Sequence, residues 1–203
     1  MVADYQWTDG NNSDFQMFYQ KTEEYYSKIV GGLDKRKAFV PYNASTAIDH
    51  VIIVYDGKTA IACAGLKHYS EADAEIKRVW VEPEYRGKHI AQDMMKQLED
   101  KARNEGYKRL ILQTRELMTD AVGLYEKMGY TRIDNYPPYD TLPGAVCYAR
   151  ELWESAELYD RFAHVNKTDQ AIENAEREVA DGAKPISAKM ARKKLDEKYY
   201  GEV

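Results

Sequence analysis

The sequence predicts an α+β domain: a mixed, mostly antiparallel central sheet flanked by helices, followed by a C-terminal helical extension. Three observations carry that expectation. His50–Tyr55 and Lys58–Leu66 are apolar, strand-like runs joined through Asp56-Gly57, a signal for an antiparallel hairpin. Ala74–Val81 and Arg109–Thr114 are two more such runs, separated by a long amphipathic segment, the order of a crossover unit. From Trp153 onward Glu, Lys, Ala, Asp and Arg dominate and apolar residues thin out, which sets 153–203 apart from 1–152.

The elements follow in order. Asn11-Asn12-Ser13-Asp14 offers a cap, after which Phe15, Phe18, Tyr19, Tyr25, Tyr26, Ile29 and Val30 recur at helical spacing until Gly31-Gly32. Leu33–Thr46 is a mixed loop with room for a short helical turn. The hairpin comes next, then the strand Ala74–Val81, stopped by Glu82-Pro83. A helix from about Ile90 to Asn104 carries Ile90, Met94, Met95, Leu98 and Ala102 on one face, and Gly106 closes it. Arg109–Thr114 is a short buried strand. Ala121, Leu124, Tyr125 and Met128 mark a helix ending at Gly129. Tyr130–Ile133 and Ala145–Leu152 are the last strands, on either side of a Pro-rich loop. The tail accommodates two or three helices, broken at Gly182 and Lys184-Pro185, with Ser187 capping the last. It is too poor in apolar residues to build its own core, so it packs on the domain, on a second copy or on a partner.

Bulk properties narrow the class. A chain of 203 residues with 44% hydrophobic residues fits one domain plus an appendage. The net charge of −5 makes no electrostatic case for nucleic acid or an anionic membrane, so neither is an expected partner. Cys63 and Cys147 lie inside apolar runs and read as buried free thiols; with no signal-like or membrane-spanning run, a cytoplasmic setting is expected. His50, His68 and His164 lack metal-ligand spacing, and no metal is expected. There are 17 Tyr against 4 Phe, and a buried ring with a polar tip suits pocket walls and interfaces.

The chemistry concentrates in Glu75-Ile-Lys-Arg-Val-Trp-Val-Glu-Pro-Glu-Tyr-Arg-Gly-Lys-His-Ile-Ala91, which runs from strand through a tight basic turn into a helix. A new helix leaves its first amides unpaired, and the peptide dipoles place about half a positive charge there. Gly87 reaches backbone angles closed to other residues, and Arg86 and Lys88 add two cations. Such a turn suits a phosphate or pyrophosphate. It is neither G-x-x-x-x-G-K-[ST] nor G-x-G-x-x-G. Strand alternation sets Glu75, Lys77, Val79 and Val81 on one face and Ile76, Arg78 and Trp80 on the other.

Arg86-Gly87-Lys88-His89-Ile90-Ala91 resembles the R-G-x-G-x-[GA] turn of the GNAT superfamily of N-acetyltransferases, with His89 where the second glycine usually sits. Leu124-Tyr125-Glu126-Lys127-Met128-Gly129-Tyr130 resembles the L-Y-x-K-x-G-[FY] signature of the same superfamily. The motifs stand in the family's order, and the resemblance spans about residues 45–152. It implies a GNAT-like fold with acetyl-CoA as co-substrate. The pyrophosphate would lie on Arg86, Gly87, Lys88, His89, Ile90 and Ala91, with Gly87 supplying the backbone freedom. The pantetheine arm would pair with the main chain of Val79, Trp80 and Val81 as if it were another strand.

The resemblance further implies direct transfer to the primary amine of a small molecule or a peptide N-terminus. A protonated amine cannot attack a thioester until a proton leaves, and Glu75 stands where many members carry the glutamate that takes it. Tyr125 would meet the leaving thiolate, a role suited to a neutral phenol donor. Backbone N–H around Val81 would hold the developing oxyanion. Thr114 and the lid tyrosines Tyr136 and Tyr139, stiffened by Pro137-Pro138, belong to the acceptor side. Gln113, Arg115 and Met118 depart from residues common in the family. A second reading makes the chain an acyl-CoA-binding interaction module whose antitoxin-like tail dimerises or captures a protein partner.

Overall fold

The computed structural model describes residues 3–32, 34 and 39–153. The expected helical extension lies outside them, as do the dimer and the antitoxin-like partner role that rest on it. Among the described residues, seven strands form one sheet in the order β1-β2-β3-β4-β5-β7-β6. These are β1 (Ala3–Thr8), β2 (His50–Asp56), β3 (Thr59–His68), β4 (Asp73–Val81), β5 (Arg109–Arg115), β6 (Thr131–Ile133) and β7 (Ala145–Glu151). The helices are α1 (Ser13–Val30), α2 (Ile90–Asn104) and α3 (Thr119–Lys127). Single 3₁₀ turns cover Val40–Asn43 and Ser45–Ala47 in the expected loop. All pairings are antiparallel except β4 with β5. No described helix is long and apolar enough to cross a membrane.

Helix α1 begins where Asn12 accepts hydrogen bonds from the amides of Asp14 (2.9 Å) and Phe15 (3.2 Å). It ends where Gly31 turns left-handed at φ 83° and the Gly32 amide reaches back to the Ser27 carbonyl. Its face buries Phe15 and Phe18 completely against Val51, Ile53, Cys63 and Trp80. Each such ring contributes about 1.5–3 kcal/mol by leaving water. β2 and β3 are buried on both faces along their centres. With α1 on one face, α2 packs on β3 and β4 through Ile90, Met94, Met95, Leu98 and Ala102.

Two features position the site. The β2–β3 turn opens with Gly57 at φ 61°, the glycine position of a type II′ hairpin. That hairpin presents β3 to β4, and their register slips between Cys63 and Gly65: Gly65 faces Lys77, but Cys63 faces Trp80. Two steps on β3 thus span three on β4, a bulge at Arg78, whose φ is +56°. The bulge reverses the expected alternation. Trp80 faces α1 together with Glu75 and Lys77, instead of lying opposite them.

Candidate active site

β4 and β5 pair only from Asp73 with Arg109 to Ile76 with Leu112. Arg109 locks that closed end with a two-pronged contact to Asp73 at 2.7 and 3.2 Å. Past Ile76 the strands part, because the bulge turns β4 while β5 stays paired with β7 out to Arg115. The main chain of Lys77–Val81 thus lies outside the β4–β5 pairing. A cavity of about 80 Å³, room for roughly five waters, sits in the fork. Val79, Thr114 and Tyr125 line it, together with Tyr26, Phe39, Ile76, Lys77, Arg78, Gln113, Arg115 and Met118.

Arg78 is held in its left-handed conformation by α1: its Nη1 lies 2.6 Å from Glu23 Oε1 and its guanidinium stacks 4.2 Å from the Tyr19 ring. The Cys63 thiol adds a 3.4 Å contact to the Arg78 carbonyl. Burial pushes that thiol well above the ordinary range, so it remains protonated. Tyr125 is 7% exposed, and burial together with Tyr26 raises its phenol above the usual value. The hydroxyl therefore stays a neutral donor.

Glu75 is buried, 4% exposed, and does not line the cavity itself. Its Oε1 accepts from Lys77 Nζ at 3.1 Å and from the Tyr136 hydroxyl at 3.0 Å. Lys77 also donates to the Tyr139 hydroxyl. Burial pulls Lys77 below the ordinary lysine range, opposed by Glu75. Burial and then the Glu75 charge push Tyr136 and Tyr139 upward. The Tyr136 and Tyr139 rings meet edge-on at 5.4 Å across the cis Pro137-Pro138 bond. Tyr139 is only 1% exposed, so it forms the floor of this cluster, not an open wall.

The basic turn lies at the far end of β4. Arg86 donates from Nε to the Val81 carbonyl at 3.1 Å and stacks on Trp80 (5.2 Å) and Tyr25 (5.5 Å). Lys88 lies 4.6 Å over the Tyr85 ring. Gly87 has φ 73°, but it does not carry the turn alone: His89 itself is left-handed at φ 63°. The residue in the usual glycine position thus adopts the glycine conformation. No side chain caps α2, so the amides leading into Ile90 and Ala91 have no capping acceptor.

The structure therefore places the expected residues in three adjoining groups: Val79, Thr114 and Tyr125 in the fork, Glu75, Tyr136 and Tyr139 around Lys77, and Trp80 and Val81 with Arg86–Ala91. Lys77, Arg78, Tyr26 and Phe39 are the site residues that sequence reasoning missed. Alternation placed Lys77 beside Glu75, and that spacing was the available signal. Among the described residues no group of His, Cys, Asp and Glu is arranged to hold a metal ion.

Residues 8–130 match the family described as "Acetyltransferase (GNAT) family". An "IAA acetyltransferase" of Azospirillum brasilense is 30% identical over 86 residues, covering 42% of this chain and 56% of that protein. The chain thus spans about half the length of that relative. Among solved structures, one assigned as an acyl-CoA N-acyltransferase from Klebsiella pneumoniae aligns with a TM-score of 0.61 at 19% identity, over 75% of this chain and 99% of that one. A GNAT family acetyltransferase from Elizabethkingia anophelis with acetyl-CoA bound aligns with a TM-score of 0.55 at 17% identity, over 73% and 97%. At these identities the structural likeness establishes a shared fold.

Proposed function

The chain belongs to the GNAT acetyltransferase family, and from that premise we propose that it moves an acetyl group from acetyl-CoA to a primary amine by direct attack. The observation that carries this reading is the fork that opens between β4 and β5 past Ile76, with Tyr125 in its cavity and the uncapped start of α2 following the far end of β4. A linear pantetheine arm fits the edge that β5 vacates, pairing with the main chain of Val79, Trp80 and Val81. The amides at Gly87–Ala91, with Arg86 and Lys88, suit a pyrophosphate at the fork's open end.

The residues then divide the chemistry. Tyr125, neutral because it is buried, donates its proton or a hydrogen bond to the departing sulfur. Glu75 receives the acceptor's proton by way of Lys77, which lines the cavity and is bonded to it, while the Tyr136 hydroxyl holds the same carboxylate oxygen. Backbone N–H near Val81, beyond the bulge, faces the developing oxyanion. Thr114 and Tyr136 border the acceptor side, and Tyr139 holds Lys77 in place. The substrate is a small amine or a peptide N-terminus. Buried free thiols at Cys63 and Cys147 suit a cytoplasmic setting.

The test is a screen of primary amines with acetyl-CoA, reading released thiol, on wild type and Tyr125→Phe. Turnover on at least one amine, reduced by roughly 100-fold in the variant with CoA affinity retained, is the expected result. Tight CoA binding with no turnover on any amine would sink the enzyme reading.

A further inference from the structure

The fork contains an amine of its own. Lys77 is the first β4 residue past the Ile76–Leu112 pair, at the point where any chain lying between the strands must end. Among the described residues it is the one lysine lining the cavity, which it shares with Tyr125 and Thr114. Its Nζ is buried, 3.1 Å from the Glu75 carboxylate and donating to Tyr139. These are the arrangements a nucleophilic amine needs: a fixed position, a carboxylate within proton-transfer distance, and little water.

Resting on the acetyltransferase reading above, we propose that Lys77 is a self-acetylation site, modified by acetyl-CoA bound in the fork of the same chain. Lys77 gives one ammonium proton to Glu75 and becomes a neutral amine. The bond from Nζ to the thioester carbonyl carbon forms, and the carbon–sulfur bond breaks. The second amine proton ends on the departing sulfur, so the products are one amide and one free thiol, with no change of oxidation state. Burial favours the first step, since it already pulls Lys77 toward its neutral form.

The experiment incubates the full-length chain with heavy-acetyl-labelled acetyl-CoA and maps the label by peptide mass spectrometry. Label is expected at Lys77 at a rate roughly tenfold or more ahead of the exposed Lys21, Lys58 and Lys88, despite its burial. The rate per chain should not change with protein concentration. Lys77→Arg, which keeps a cation opposite Glu75 but removes the amine, should lose that label. Label spread over lysines in order of exposure, with Lys77 bare, overturns the proposal. A chain that acetylates an added amine yet leaves Lys77 unlabelled overturns this inference alone. One that binds no CoA and labels no amine overturns the acetyltransferase reading with it.

Discussion

Glu75→Gln removes one charge of a buried ion pair while preserving the side chain's shape. Glu75 is 4% and Lys77 8% exposed, so water compensates neither charge. Removing one partner of such a pair costs about 3–5 kcal/mol, because the other charge stays buried and unpaired. A glutamine Oε1 still accepts from Tyr136 and Lys77, which points to the low end, about 3 kcal/mol. Glu75→Gln combined with Lys77→Met removes both charges at similar volume and should return to within about 1 kcal/mol of wild type. Urea unfolding of wild type, both single variants and the double variant gives the coupling energy, expected at about 2 kcal/mol or more. The pH dependence has a definite sign. Burial holds folded Lys77 below its ordinary 10.5, and Glu75→Gln removes the carboxylate that opposes this. The unfolded chain then keeps the lysine proton to higher pH than the folded chain, so this variant gains stability as pH rises toward that value. A deficit under about 1 kcal/mol at neutral pH, or one that does not shrink with pH, would refute the burial argument.

Three further outcomes can be checked. Arg86→Ala should weaken CoA binding by roughly 10- to 100-fold in calorimetry, the worth of a charge-assisted hydrogen bond to phosphate; unchanged affinity would remove Arg86 from the site. His89→Gly should leave stability unchanged or raise it by up to about 1 kcal/mol, since φ 63° suits glycine better, with CoA binding retained. A loss larger than that would mean the imidazole makes contacts beyond its backbone role. Finally, burial raises Tyr125, Tyr130, Tyr136 and Tyr139 above the ordinary 10.0, so their protons are held more tightly folded than unfolded. Their contribution is complete below about pH 10 and falls by about 1.4 kcal/mol per pH unit per tyrosine above it. A urea midpoint followed with tyrosinate absorbance should therefore drop steeply from about pH 10 to 11, and a flat midpoint would contradict the burial of these phenols.

The legible parts of the fold were those whose signals are local. α2 spans Ile90–Asn104 as its apolar spacing indicates, because one face of the helix is buried along its whole length. β1 was missed. Tyr5 and Trp7 alternate with Asp4 and Gln6, but the strand lies at the sheet edge, partly exposed on both faces, so burial wrote little pattern into it. The Arg78 bulge was missed for another reason. Glycine is the usual mark of a positive φ, and here an arginine takes it because Glu23 and the Tyr19 ring on α1 hold its side chain. His89 left no glycine signal either, yet it stands left-handed in the turn.

By itself the sequence determined the α+β class, the order and bounds of most elements, the basic turn before α2 and the presence of Tyr125 in its motif. These depend on residue type, spacing and backbone preference within a few positions. Only the tertiary structure decided that the bulge brings Trp80 to the face of Glu75, that β4 and β5 part after Ile76, and that Glu75, Lys77, Tyr136 and Tyr139 form one buried cluster. Each of those outcomes is set by contacts between segments far apart in the chain, where burial, not local pattern, fixes which charges and hydroxyls must meet.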